Sequence, residues 1–131
     1  MQATQQRNNL SVLGIEHIQL AIPAGGEIKA RAFFIDLLGF REIPKPPELA
    51  KRGGAWFEAG AVQLHLCVET DFRPARKAHP AFFVDNLDGL IAKVQPPRIE
   101  TDIAQTPLGG YKRAHVFDPF GNRIEFMEKV E

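Results

Sequence analysis

The amino-acid sequence predicts an α+β fold in which a module of one strand, one helix and further strands occurs twice. Short segments alternate between apolar and polar residues, as half-buried strands do, and two others have the apolar spacing of amphipathic helices. Corresponding polar positions also recur at a nearly constant offset. His17 and His79 begin equivalent strands 62 residues apart, and His65 and Glu125 lie in equivalent late strands 60 residues apart.

The first half is predicted to contain a strand, a helix and a β-hairpin. In the first strand, Ile18, Leu20 and Ile22 share one face, whereas His17 and Gln19 lie on the other. The predicted elements are a strand over 15–22, a helix over 27–38 ended by Gly39, a proline-rich loop over 44–47 without regular structure, and strands over 55–58 and 61–69 joined by a tight turn at 59–60.

The second half repeats this order after a basic linker over residues 70–78. Asp118-Pro119-Phe120-Gly121 has Asp first, Pro second and Gly fourth, which is the pattern of a type I turn. The predicted elements are a strand over 79–84, a short helix from Leu87 to Val94 ended by Pro96-Pro97, and strands over 111–117 and 123–127 on either side of that turn.

Length and composition indicate one compact domain. We expect residues 1–12 to be a flexible N-terminal tail and residues 13–131 to be the domain, with one module over about 13–70 and the other over about 78–131. The formal net charge is zero and no apolar run approaches the roughly 20 residues that span a bilayer, so nucleic-acid and membrane partners are not expected. With a single cysteine, a cytoplasmic location is expected.

The polar faces of the strands carry a set of residues suited to metal binding. If the apolar faces pack under the helices, the opposite faces line a shared concave surface, the cup. The cup-facing positions include His17, His65, His79, His115 and Glu125. Imidazoles with one carboxylate suit one divalent ion of Fe, Mn, Ni, Co or Zn and leave positions open for substrate. The alternative from the residues alone is a hydrogen-bonded cup that binds a ligand without metal.

Five segments resemble the vicinal oxygen chelate superfamily, which includes glyoxalase I, extradiol dioxygenases and the fosfomycin- and bleomycin-resistance proteins. They are Gly14 to Ile22, Ala32 to Phe40, Val62 to Leu66, His79 to Leu87 and Phe117 to Phe126. The last segment, with its Asp-Pro-Phe-Gly-Asn turn and following Glu, is the most specific. The resemblance implies two βαβββ modules that form a cup-shaped half-barrel sheet with helices on its outer face, and a homodimer with the metal where both modules converge.

The resemblance also implies roles for individual residues. His17, His79 and Glu125 match the metal ligands of the catalytic members, and His65 matches the fourth ligand of glyoxalase I, which is usually Glu. His115 matches a strand position that contacts substrate in the fosfomycin enzymes. Gln19 and Gln63 lie beside the ligands and are expected to bind substrate. The Ser/Tyr-rich anion-binding segment of the fosfomycin enzymes is replaced here by Thr106 to Tyr111, which argues against that substrate.

These residues favour a glyoxalase-like metalloenzyme, an isomerase or lyase. A small substrate would chelate the metal through two neighbouring oxygens, and Glu125 or His115 would move the proton. One alternative is an Fe(II)-dependent extradiol-type dioxygenase, which needs only two His and one carboxylate. The other is a metal-free small-molecule binding protein of the bleomycin-resistance type.

Overall fold

The two halves of the chain form two four-stranded sheets with the same topology. The structure, a computed structural model, describes residues 9–94, 99–100 and 109–130. Its elements are β1 (Ile18–Ile22), α1 (Glu27–Arg31) continued by a π-helical segment (Ala32–Leu37), β2 (Arg41–Ile43), α2 (Pro47–Ala50), β3 (Ala55–Ala59), β4 (Val62–Val68), β5 (Ala81–Phe83), α3 (Leu87–Val94), β6 (Ile99–Glu100), β7 (Tyr111–Phe117) and β8 (Arg123–Lys129).

The strand order is β1-β4-β3-β2 in the first sheet and β5-β8-β7-β6 in the second. In each sheet the first strand of the module pairs in parallel with the last one, and the remaining pairs are antiparallel. Each half is therefore a βαβββ module. The α+β class and the internal repeat predicted from the sequence are confirmed.

The apolar strand faces and the helices form one core. Phe34 of the π-helical segment packs on Phe57 of β3 with ring centroids 5.8 Å apart, and Phe40 contacts Phe82 of the other module at 6.0 Å. The buried apolar strand residues include those with the predicted parity, namely Leu20, Ile22, Leu64, Leu66, Val116, Ile124 and Phe126. Because these side chains point into the core, the polar positions between them point to the opposite face.

The predicted helix and the proline-rich loop differ from the sequence-based prediction, and the short strands β2 and β6 were not predicted. The helix predicted over 27–38 is α-helical only to Arg31 and then widens into a π-helical segment, in which the Leu38 amide bonds to the Phe33 carbonyl oxygen at 3.1 Å. Phe33 and Phe34, adjacent in sequence, are both fully buried there. The proline-rich loop contains the short helix α2, because proline is tolerated in the first helical turn, where its missing N–H has no intrahelical partner.

The turn between β7 and β8 makes hydrogen bonds that hold the two modules together. Asp118 precedes Gly121 in the predicted turn, and the Gly121 amide bonds to the Asp118 carbonyl oxygen at 3.0 Å. The Asn122 side chain accepts a hydrogen bond from the Ala75 amide in the linker and donates one to the Ala21 carbonyl oxygen of β1, both at 2.9 Å. The second module is thereby joined both to the linker and to the first strand of the first module.

Some predictions fall on residues outside the described ranges, namely most of the N-terminal tail, the Pro96-Pro97 stop and Thr106 to Leu108 of the loop before β7. Across the described residues, none of the helices has the length and apolar character needed to cross a membrane.

Candidate metal centre

Three side chains of the second module converge on the cup face. His115 of β7 is opposite Glu125 of β8 in the sheet register, and Ala81 of β5 is on the other side of Glu125. His79 lies two residues before Ala81, at the entrance to β5. The ligand atoms of His79, His115 and Glu125 all lie within 4.8 Å of one another, and among the described residues this is the one group of three or more potential metal ligands that meets that limit.

Glu125 is the centre of this group. Its side chain is buried, with Oε1 3.0 Å from His79 Nε2 and 3.6 Å from His115 Nε2, and Oε2 accepts a hydrogen bond from Arg113 Nη1 at 3.2 Å. Burial alone would raise the pKa of Glu125. The hydrogen bonds from His79 and Arg113 and the nearby positive charges outweigh burial and lower the pKa below its ordinary value. Glu125 is therefore ionised at neutral pH.

The hydrogen bonds of His79 fit a metal ligand. Its Nδ1 donates to the Lys77 carbonyl oxygen at 2.8 Å, which directs Nε2 toward the carboxylate of Glu125. The Lys77 carbonyl oxygen can only accept, so Nε2 is the ring nitrogen available to a metal. The bond to Lys77 would hold the ring in the tautomer that a divalent ion at Nε2 requires, as carbonyl oxygens bonded to metal-bound imidazoles do.

The two histidines of the first module form a separate group. The His65 ring lies between Trp56 and His17, with both centroid distances 4.0 Å and interplanar angles of 4° and 17°. His65 is buried, and burial, with a smaller contribution from the charge of His17, lowers its pKa, so its imidazole is neutral at pH 7. His17 is more exposed, and its Nδ1 is 2.6 Å from Glu16 Oε1.

Both predicted substrate-binding glutamines lie on the cup face near these histidines. Gln63 is two residues from His65 in β4, and its Oε1 is 3.4 Å from His65 Nε2. Gln19 is opposite His65 in the pairing of β1 with β4, and its side chain is exposed. Gln19 also lines a groove together with His79, so Gln19 lies between the two histidines of the first module and the cluster of the second module.

The structure thus brings the predicted residues together in two half-sets. His79, Glu125 and His115 form one, and His17 and His65 form the other. Within the described part of one chain, His17 and His65 lie outside the cluster whose ligand atoms are all within 4.8 Å of one another. The ligand set of His17, His65, His79 and Glu125 remains a prediction.

Two residues of the site were not predicted from the sequence. Arg113 binds the distal oxygen of Glu125, and Trp56 covers one face of the His65 ring. Arg113 has the same strand parity as His115, and Trp56 is opposite His65 across the hairpin. Both could have been found by applying strand parity to every polar or aromatic residue rather than to potential metal ligands alone.

Comparison with known proteins shows the family to which the chain belongs. The sequence matches the family model of the Glyoxalase/Bleomycin resistance protein/Dioxygenase superfamily over residues 14–126. The chain belongs to this superfamily. The matched range includes every predicted site residue, from His17 to Glu125. No curated protein matches the sequence significantly.

Several solved structures share the fold over nearly the whole chain. A glyoxalase family protein from Bacillus anthracis is 46% identical, with a TM-score of 0.81 over 92% of this chain and 98% of that one. A variant of the fosfomycin resistance protein FosX from Listeria monocytogenes, in complex with Mn(II) and 1S,2S-dihydroxypropylphosphonic acid, is 14% identical, with a TM-score of 0.74 over 92% and 95% of the two chains. An antibiotic-binding protein from a Streptomyces species is 18% identical, with a TM-score of 0.64 over 91% and 100%. The last two show a shared fold only.

Proposed function

We propose that the protein is a glyoxalase-like metalloenzyme that acts on a small substrate bound through two neighbouring oxygens. The observation that supports this most strongly is the cluster of His79, His115 and Glu125, in which a carboxylate kept ionised faces two imidazole Nε2 atoms. With His17 and His65, His79 and Glu125 would offer imidazoles and one carboxylate, a donor set that suits catalytic divalent metals, and His115 would serve proton transfer beside them. The membership of the chain in a superfamily that contains metal-dependent enzymes is consistent with this proposal.

A bound divalent ion would supply Lewis acidity, which stabilises negative charge on the substrate oxygens and acidifies the adjacent C–H. Glu125 and His115 are the residues that could move the proton. The Oε2 atom of Glu125 is held by Arg113, whereas Oε1 faces the two histidines. His115 is buried, and its Nε2 lies 3.6 Å from Glu125 Oε1, so both side chains are placed to exchange a proton with a substrate bound at the cluster. The expected overall reaction is an isomerisation or a lyase reaction.

We further propose that the complete site forms between two copies of the chain. His17 and His65 of one copy would approach His79 and Glu125 of the other, which would give two equivalent four-ligand sites per homodimer. Two features support this assembly. The half-sets occupy equivalent positions in the two modules, and they are separate within one chain. A closed twofold dimer would bring each half-set to its complement.

A three-ligand Fe(II) dioxygenase is the second candidate. His79, His115 and Glu125 provide two imidazoles and one carboxylate without any contribution from the first module, as the ligand set of non-haem Fe(II) oxygenases does. His65→Ala distinguishes the two candidates. Loss of metal affinity in this variant supports the four-ligand site, and unchanged affinity supports the three-ligand site.

Metal affinity of single-site variants tests the proposal. Calorimetric titration of chelator-treated protein with Mn(II), Ni(II) and Zn(II) should give near-stoichiometric binding for the wild type. We expect Glu125→Gln and His79→Ala each to weaken metal binding by at least about 10-fold, since even substitution of a residue that only hydrogen-bonds to a metal ligand costs that much. The matched control is Glu69→Gln, an exposed carboxylate just after β4, which should bind as the wild type does.

Two outcomes would count against this assignment. Binding that survives both Glu125→Gln and His79→Ala would remove these residues from the ligand set. A wild-type protein that binds none of the metals, Fe(II) included, would instead be a small-molecule binding protein.

A further inference from the structure

An apolar patch lies on the cup face directly beside the candidate metal centre. The geometry points to a specificity subsite formed by Phe83, Met127 and Tyr111, which binds an aryl or similarly apolar group of the substrate. This inference rests on the proposed function, because it takes the chelating oxygens of the substrate to lie at His79 and Glu125. It adds the chemical class of the substrate, which would be a compound with two neighbouring oxygens and an apolar group at a fixed distance from those oxygens.

The sheet register places the patch relative to the cluster. Ala81, Glu125 and His115 lie side by side across β5, β8 and β7. Two residues further along these strands, Phe83 pairs with Met127, and Met127 pairs with Arg113. Side chains two residues apart point to the same face, so the second row shares the cup with the first.

The distance between the rows sets the size of the substrate. A strand advances about 3.4 Å per residue, so the second row lies roughly 7 Å from the first. Tyr111 lies two residues beyond Arg113 in β7. A ligand with its oxygens at the cluster would reach the patch through a linker of about two carbons, given that spacing.

The exposure of the patch indicates a binding role rather than a role in the core. Phe83 is 70% exposed although it lies within a strand, and its ring stacks on Tyr111 with centroids 5.9 Å apart at 25°. The core is filled from the other face of β5, where Phe82 is buried. Most of the Phe83 side chain is therefore uncovered apolar surface, whose burial by a ligand is favourable.

Arg113 gives the subsite a polar border on the side of the metal centre. It is in the same row as Met127 and binds Glu125 Oε2 at 3.2 Å. The second row therefore sets the guanidinium of Arg113 beside the apolar side chains of Met127 and Phe83, and in the next row Tyr111 lies opposite Lys129. This arrangement fits a ligand whose oxygens lie at the cluster and whose apolar group lies over Phe83 and Met127.

Hydroxamic acids test the subsite because they bind metals through two neighbouring oxygens. The probes are acetohydroxamic acid and 3-phenylpropanohydroxamic acid, titrated calorimetrically into Mn(II)-loaded protein. We expect the phenyl compound to bind at least about 10-fold more tightly, since burial of even part of an aromatic ring is worth that much. Phe83→Ala and Met127→Ala should each remove most of this difference and leave acetohydroxamic acid affinity unchanged. The matched control, Ile28→Ala, replaces an exposed apolar residue on α1 and should preserve the difference.

Each other outcome has a distinct meaning. If the wild type binds Mn(II) and both probes equally, the subsite is wrong and the metal assignment stands. If neither probe binds to protein that holds Mn(II), chelation of vicinal oxygens at this centre is wrong, and the subsite fails with it. If Phe83→Ala retains the preference for the phenyl compound but shifts the monomer–dimer equilibrium in sedimentation, the patch contacts a second copy and the inference is overturned.

Discussion

At the scale of single residues, Asn122 shows how one buried amide joins two modules. Its side chain bonds to Ala75, Ala21 and Asp118, each at 2.9 Å, and only 1% of its surface is exposed. Asn122→Ala would leave a partly buried N–H of Ala75 and a partly buried C=O of Ala21 without this partner, and each such group costs about 1–3 kcal/mol. We therefore expect the free energy of unfolding in urea to fall by about 2–4 kcal/mol.

Asn86→Ala is the matched control for this prediction. Asn86 is exposed and its side chain accepts one hydrogen bond, from the Gly89 amide at 3.0 Å, at the start of α3. Loss of such a cap costs about 1 kcal/mol. If Asn122→Ala destabilised the protein no more than Asn86→Ala, the amide would not hold the modules together as its contacts indicate.

Single residues also show what strand parity can predict about a site. Parity alone predicts that His115 and Glu125 lie on the cup face. It could not show that they are directly opposite each other, because the register of β7 and β8 depends on the length and geometry of the turn between them. For the same reason Arg113 was missed, since its bond to Glu125 depends on that register.

At the scale of elements, Glu27 joins the start of α1 to the loop before β3. Its Oε2 accepts a hydrogen bond from the Gly54 amide at 2.8 Å. Gly54 has φ of +81°, and a Cβ there would lie 2.1 Å from the Leu66 carbonyl oxygen, so only glycine fits. The bond from Gly54 is the main cause that lowers the pKa of Glu27 below its ordinary value, despite the opposing effect of burial.

This contact predicts a pH-dependent stability. Because the pKa of Glu27 is lower in the folded state, the carboxylate stabilises the fold above the unfolded value of 4.5 and loses this effect as the pH falls through the lowered pKa. Glu27→Gln should therefore reduce the free energy of unfolding by about 1 kcal/mol at pH 7. The difference should shrink below pH 4.5. Urea unfolding from pH 3 to pH 7 measures it, and a difference that is constant over this range would contradict the assignment.

The elements that the sequence did not predict are short or irregular. The strand β2 has three residues, two of them exposed and charged, so it has too few apolar residues for alternation to be visible. The helix α2 begins in a run of prolines that normally indicates a loop. The π-helical segment depends on how Phe33, Phe34 and Leu38 fit the core, which is a tertiary effect. The longer strands β4 and β7 have seven residues each and were predicted within two residues of their ends.

At the scale of the whole molecule, the repeat is visible in the sequence, but the contact between its parts is not. The offsets of 62 and 60 residues are sufficient to predict two equivalent modules. They do not say whether His17 and His65 meet His79 and Glu125 within a chain or between chains. In the structure, His17 and His65 stack together on the first sheet, and the other pair lies on the second sheet. In the assembly that we propose, the complete site would therefore depend on the quaternary structure.

Complementation between two defective variants tests this assembly directly. One variant carries His17→Ala and His65→Ala, and the other carries His79→Ala and Glu125→Gln. If sites form across the dimer, each variant alone should bind Mn(II) weakly. In a heterodimer, one site would receive both intact half-sets and the other would receive both defective ones. Random mixing makes half of the dimers heterodimers, so about a quarter of all sites should regain tight binding.

The measurement is a Mn(II) titration of the two variants, alone and after they are unfolded and refolded together. A mixture of each variant with itself, treated in the same way, controls for refolding. Light scattering should show a dimer throughout, because the substitutions lie in the cup and leave the apolar core unchanged.

If the first variant alone binds as tightly as the wild type, His79, His115 and Glu125 are sufficient within one chain. If the mixed dimers bind no better than the separate variants, the two half-sets do not meet between copies. Recovery of about a quarter of the sites is the result that only a shared site produces.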